Sequence, residues 1–238
     1  MSRLRREDGF TLVELLVAIS IGSVVMLATF MMLDSSVTLT GKTQKRVDTT
    51  QRGRLAMDLI TRQLRSQVCP NSSTPAIIGT GGVAPASDQY NVNLWVFTGA
   101  GAFKPQRHVI RWDTNTNSIV ESDYSQAGAL LGTKTLLAKV RPPTTPDPPF
   151  TALNAPVFSY YPATIATDPN VAPFSTPLSP TDAANVALIK VAYTVQPDVG
   201  SPATSTPPPA ESQTFKDQVF VRTANPDDPS GPKGPVCA

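Results

Sequence analysis

Proline is missing from the first 69 residues of this 238-residue chain, although the whole contains 24. Proline breaks helix interiors by removing an N–H donor and clashing with the preceding turn. Residues 1–69 are therefore free to form one long helix, and the Pro-rich remainder is excluded from long helices. Histidine is almost absent, with His108 alone, and cysteine is limited to Cys69 and Cys237. One His and two separated Cys exclude the usual zinc ligand sets. They also exclude a disulfide-dense scaffold. A net charge of +2 gives the whole protein no strong electrostatic preference for nucleic acid or acidic partners. Charge is scarcest between Phe10 and Leu33, where Glu14 is the single ionisable side chain.

That 24-residue run is long enough to cross a bilayer. As a helix it spans about 36 Å at 1.5 Å per residue, against a hydrocarbon core of about 30 Å. Arg3, Arg5 and Arg6 precede it and favour a cytoplasmic N-terminus, although Lys42, Lys45 and Arg46 lie beyond its far end. A secretory signal peptide has a shorter apolar core followed by a break. A buried core helix is the other alternative, and so long an apolar run is uncommon in soluble domains. Ala18 and Gly22, four apart, allow close helix approach in lipid. A charged Glu14 is costly in that setting unless something compensates it.

From residue 34 to residue 68 the pattern becomes amphipathic. Leu55, Leu59, Ile60, Leu64 and Val68 recur at helical spacing and predict one apolar stripe. Asp48/Arg52, Arg54/Asp58 and Asp58/Arg62 are i,i+4 pairs. Lys42 to Arg65 holds seven basic and two acidic residues, read either as a solvated helix face or as a surface for acidic partners such as DNA. Gly41 and Gly53 each weaken a helix by about 1 kcal/mol relative to alanine.

The stretch "REDGFTLVELLVAI" resembles the N-terminus of type IV prepilins and type II secretion pseudopilins: a short basic leader ending in Gly9, then Phe10, Thr11, Leu12 and Val13, with Glu14 fifth after the glycine. The resemblance implies a prepilin peptidase that cuts after Gly9 on the cytoplasmic side and methylates the new amine of Phe10. It further implies partners: other pilin or pseudopilin subunits, an inner-membrane assembly platform and membrane lipid. In such a fibre Glu14 pairs with the Phe10 amine of a neighbour and sets axial register. The alternative is a Glu14 that snorkels or is protonated.

Beyond Cys69 several segments alternate like strands: 92–97, "RHVIRW" (107–112) and "SIVES" (118–122) around a "DTNTN" turn, "TLLAKV" (135–140), "PVFSYY" (156–161), "ANVALIKVAYTV" (184–195) and "DQVFVRTAN" (217–225). Ala187, Ile189, Val191, Tyr193 and Val195 share one face. "RPPTTPDPP" (141–149) and "SPATSTPPPA" (201–210) read as stiff exposed loops. About seven short strands make a sandwich-like antiparallel domain on which the helix stripe is buried. Its long C-terminal part is similar to the larger minor pilins, including pseudopilin J and the W-type minor pilin.

The remaining chemical motifs are poor. His108 stands beside Arg107 and Arg111 with no evident catalytic partner in the sequence, so a structural role is expected. "GTGG" (79–82) lacks a P-loop lysine. "DTNTNS" from Asp113 begins like a calcium loop but has Ser118 in place of the glycine and Tyr124 in place of the closing glutamate, so it reads as a turn. "NPDDPS" (225–230) reads as tail, and "NSS" (71–73) matches a glycosylation sequon that the resemblance to prepilins, which implies a prokaryote, weakens. Cys69 and Cys237 are a disulfide if the domain is extracytoplasmic, or else two unrelated thiols.

The expected class is α+β: a long N-terminal helix, transmembrane in its first half, packed on a C-terminal antiparallel β domain, pilin-like. The expected parts are a leader at 1–9, a membrane half at 10–33, an amphipathic half at 34–68 and an extracytoplasmic β domain at 69–238. The expected function is a non-enzymatic minor pilin or pseudopilin without metal or cofactor. The competing reading is a membrane-anchored binding module for DNA or glycan.

Overall fold

The computed structural model describes residues 10–71, 74–97, 105–143, 150–151, 155–168, 170–198 and 210–221. The leader, the tail motif at 225–230 and most of the loops at 141–149 and 201–210 lie outside the described residues. The chain divides into two compact units, Met1–Gln44 and Lys45–Ala238. One 54-residue helix, α1 (Leu12–Arg65), belongs to both. Within the first unit it is apolar over most of its surface, and residues 10–40 are exposed throughout.

In the second unit α1 turns amphipathic. Its buried residues are Thr49, Gly53, Ala56, Met57, Ile60, Thr61 and Leu64, which recur three and four apart as one helical stripe requires. This corrects the stripe expected from the bulky residues. Ile60 and Leu64 are buried, but Leu55 is 63% exposed. Leu59 and Val68 are half-buried, and Val68 lies beyond the end of the helix. Small residues explain the difference. A Cβ on Gly53 would lie 2.1 Å from the Phe215 ring, and Tyr193 Oη donates to the Gly53 carbonyl at 2.9 Å. The stripe is centred where the helix backbone can approach the sheet most closely, and not where leucines are densest. Gly53 is therefore a packing position, which offsets the helix propensity it forfeits.

Two antiparallel sheets enclose the core. The first is a meander of β1 (Asn91–Phe97), β2 (Pro105–Asp113), β3 (Ser118–Tyr124) and β4 (Leu130–Ala138), in that spatial order. The β2–β3 turn is the expected one. Asp113 Oδ1 accepts from Asn115 N, Asp113 Oδ2 accepts from Thr116 Oγ1, and Asn117 has φ 49°. Asp113's carboxyl is held below the usual carboxylate range by those bonds.

The second sheet is built on β7 (Leu188–Val195). β8 (Gln213–Phe220) pairs along all of β7. β6 (Phe158–Tyr161) pairs with its first residues and β5 (Val140–Arg141) with its last. Since β8 fills one edge of β7, β5 and β6 share the other. Ile189, Val191, Tyr193 and Val195 point into the core as their alternation predicts.

The domain thus has eight strands among the described residues, in two sheets. β4 begins five residues before the expected start, and β8 (213–220) begins four before its own, while 222–225 of the expected strand lie outside the described residues. The exposed first half of β4, Leu-Leu-Gly-Thr-Lys, has no apolar alternation to reveal it. Ile60 and Leu64 share one core with Leu94, Ile110, Ile189 and Tyr193. Each fully buried aliphatic side chain of this kind stabilises the fold by about 1.5–3 kcal/mol.

Candidate functional site

The start of α1 is organised by residues 11–14. The Thr11 backbone N–H and its hydroxyl both donate to Glu14 Oε2, at 3.0 and 2.9 Å. Glu14 N in turn donates to Thr11 Oγ1 at 3.2 Å. This is a reciprocal capping box, in which a Thr before the first turn and a Glu at its third residue satisfy each other's free N–H groups. The spacing T-x-x-E was legible as "TLVE", yet attention to the charge of Glu14 alone leaves it unnoticed. The carboxylate also lies in the first turn, where the helix dipole favours negative charge.

The rest of the run is built for an apolar surround. From Phe10 to Leu33 the polar side chains are Thr11, Glu14, Ser20, Ser23 and Thr29. Ser20 Oγ donates to Leu16 O, Ser23 Oγ to Ser20 O, and Thr29 Oγ1 to Val25 O, all at 2.8–2.9 Å. Every hydroxyl donor is thus satisfied within the helix itself, as lipid demands. Large side chains such as Phe10, Leu16, Ile21 and Phe30 are more than half exposed. α1 is long and apolar enough to cross a membrane. Both Thr11 bonds converge on Oε2, so Oε1 is the one strong acceptor in this run not engaged by the cap. Phe10 is 88% exposed at the helix entrance. Gly9 lies outside the described residues.

The other sequence-level candidates fall in the second unit. The ion pairs Asp48–Arg52 and Asp58–Arg62 form, at 2.9 and 2.7 Å. Arg52 also donates to Gln196 O at 3.2 Å. Part of the basic face is therefore engaged within the protein. No cysteine is free among the described residues. Cys69 is half-buried, and Cys237 lies outside the described residues.

His108 requires a correction. No partner is evident in the sequence, yet β2 and β3 bring it to Glu121 and Asp123. Its Nδ1 lies 2.9 Å from Glu121 Oε1 and 3.1 Å from Asp123 Oδ1. The three residues are 13 and 15 positions apart and meet only through the hairpin register, so no linear motif announces them. Burial pushes the Asp123 carboxyl above its usual range, the His108 ring works against that rise, and Glu121 adds to it. Arg107, on the opposite face of β2, stacks over Tyr124 at 4.0 Å and donates to Ala84 O.

Comparison with known proteins points to the N-terminal segment. A family model described as the prokaryotic N-terminal methylation motif matches residues 4–30. Those residues include Gly9, Phe10, the capping box and most of the apolar run. The match indicates a type IV pilin-like N-terminus, which implies processing by prepilin peptidase and assembly with other pilin subunits, and the apolar half of α1 fits a single-pass membrane anchor. No curated protein and no solved structure matches the chain.

Proposed function

Starting from that prepilin-type N-terminus, we propose that the chain is a minor pilin or pseudopilin, a structural subunit and not an enzyme. The peptidase cuts between Gly9 and Phe10 and methylates the Phe10 amine. The subunit waits in the membrane on the first half of α1 with its β domain on the extracytoplasmic side. An inner-membrane assembly platform then moves it into, or uses it to prime, a pilus-like fibre.

The observation that carries this reading is Glu14 Oε1, which has no hydrogen-bond donor among the described residues. All hydroxyls of the apolar run are satisfied internally, so Oε1 is the group left to recruit an external partner. Cleavage at Gly9 creates such a partner, a cationic amine four residues before Glu14. Within one helix the cap already holds Oε2, and a neighbouring copy's amine supplies the opposite charge that the carboxylate lacks. A charge pair away from water is directional and costly to break, which gives axial register. We further assign Cys69 and Cys237 to a disulfide that ties the C-terminal tail to the end of α1, in keeping with an oxidising compartment.

A strain lacking this gene is expected to lose the fibre, or secretion through it, and to regain it when the wild-type gene is supplied. Fibres and secretion unchanged by the deletion would contradict the proposal.

A further inference from the structure

Outside the helix N-terminus, the most unusual chemistry lies on the sheet that carries β2 and β3. His108 and Asp123 face each other directly across the two strands, and Glu121 is two residues from Asp123 on the same face. His108 and Glu121 are 8% and 6% exposed, while the Asp123 side chain is 40% exposed. Their potential ligand atoms, one per residue, all lie within 4.8 Å of one another.

One hydrogen on Nδ1 cannot serve both carboxylates well. Nδ1 carries at most one, and its shorter contact is with Glu121 Oε1 at 2.9 Å. Asp123 Oδ1 is then buried 3.1 Å from the same nitrogen without a hydrogen bond to it or to any other group among the described residues. An acceptor sealed from water with no donor is expensive, and more so for a charged group. Three lone-pair donors within 4.8 Å of one another suit a cation, because it attracts all three at once. With a neutral imidazole the three groups sum to two negative charges, which a divalent ion cancels.

We propose that His108, Glu121 and Asp123 form a binding site for a divalent transition-metal ion of the zinc class. The donor set selects the class. Calcium takes six to eight oxygens and has no use for an imidazole, whereas zinc accepts His nitrogen and carboxylate oxygen together. Ligands about 2.1 Å from a tetrahedral centre lie about 3.4 Å apart. The two separations from Nδ1, 2.9 and 3.1 Å, open to that value by a few tenths of an ångström. A fourth position is available to water: Asp123 pairs with Gly132, where a Cβ would meet nothing within 4 Å. Exposed Lys134, opposite Glu121, is the nearest competing cation on β4. Its charge reaches Asp123 without an ion pair. The bound ion clamps β2 to β3 at the end of their hairpin away from the 113–118 turn.

The test uses the full chain in detergent, stripped with chelator and titrated with zinc chloride, with bound zinc measured by elemental mass spectrometry after gel filtration. The wild type is expected to hold one zinc per chain and to melt at higher temperature with it. Asp123→Asn alters the most exposed ligand and, by removing a poorly satisfied charge, is expected to hold or raise the metal-free melting temperature. Its zinc affinity should fall by at least about tenfold, a loss that even outer-shell partners can cause. Cobalt(II) gives a readout that needs no variant, since binding at a four-coordinate nitrogen–oxygen site produces an intense visible absorption. Folded wild type without bound zinc, Asp123→Asn with unaltered affinity, or cobalt without that absorption would each overturn the assignment.

Discussion

Replacing Glu14 with Gln is expected to cut incorporation into fibres on the order of a hundredfold, the scale on which removing one partner of a buried charge pair acts. Glu14→Ala should do the same. The two substitutions together separate two roles that the geometry assigns to one carboxylate. The capping box accepts Glu or Gln at its third position, so Gln keeps the bonds from Thr11 N and Oγ1 while removing the charge. Ala removes both. If the charge on Oε1 is what a neighbour's Phe10 amine recognises, both variants insert and are cleaved normally but fail to assemble. The measurement is the ratio of fibre-associated to membrane-associated subunit by immunoblot. Normal assembly of Glu14→Gln beside failure of Glu14→Ala would reduce Glu14 to a helix cap.

Ile60→Ala should destabilise the β domain by about 3–4 kcal/mol, the cost of an aliphatic truncation plus the cavity it leaves. Ile60 is fully buried in a core that joins α1 to both sheets. With about 2–4 °C lost per kcal/mol at this size, the thermal midpoint falls by about 10 °C. Leu55→Ala removes the same kind of side chain five residues earlier. Leu55 is 63% exposed, and surface substitutions of that kind stay within about 0.5 kcal/mol. Thermal unfolding of the two variants followed by circular dichroism decides between the observed stripe and the one drawn from leucine spacing. Equal losses would mean that Leu55 is buried too.

The contrast between Ile60 and Leu55 marks where sequence reading succeeds and where it stops. Features written in consecutive residues were legible: the prepilin-type motif at the N-terminus, the uninterrupted helix, and the alternating β7. Each depends on spacing along one element. Features that depend on which elements meet were not. Gly53 reads as a helix weakness until Phe215 and Tyr193 pack against it. The split into two sheets follows from the pairing of β7 with β5, β6 and β8, which no single strand encodes. His108 was discounted because its partners are set by β2–β3 register, and a one-residue slip would send them to the other face. The capping box is the exception, a local pattern overlooked because a single acid in an apolar run draws attention to its charge.

The central claim is that Phe10 becomes the first residue of the working protein. Tandem mass spectrometry of the N-terminal peptide, from protein purified from its native membrane, tests it most directly. The account predicts a peptide that begins at Phe10 with one added methyl on its amine. A peptide that still begins Met-Ser-Arg would leave Glu14 without the cation it is placed to meet, and would contradict the account.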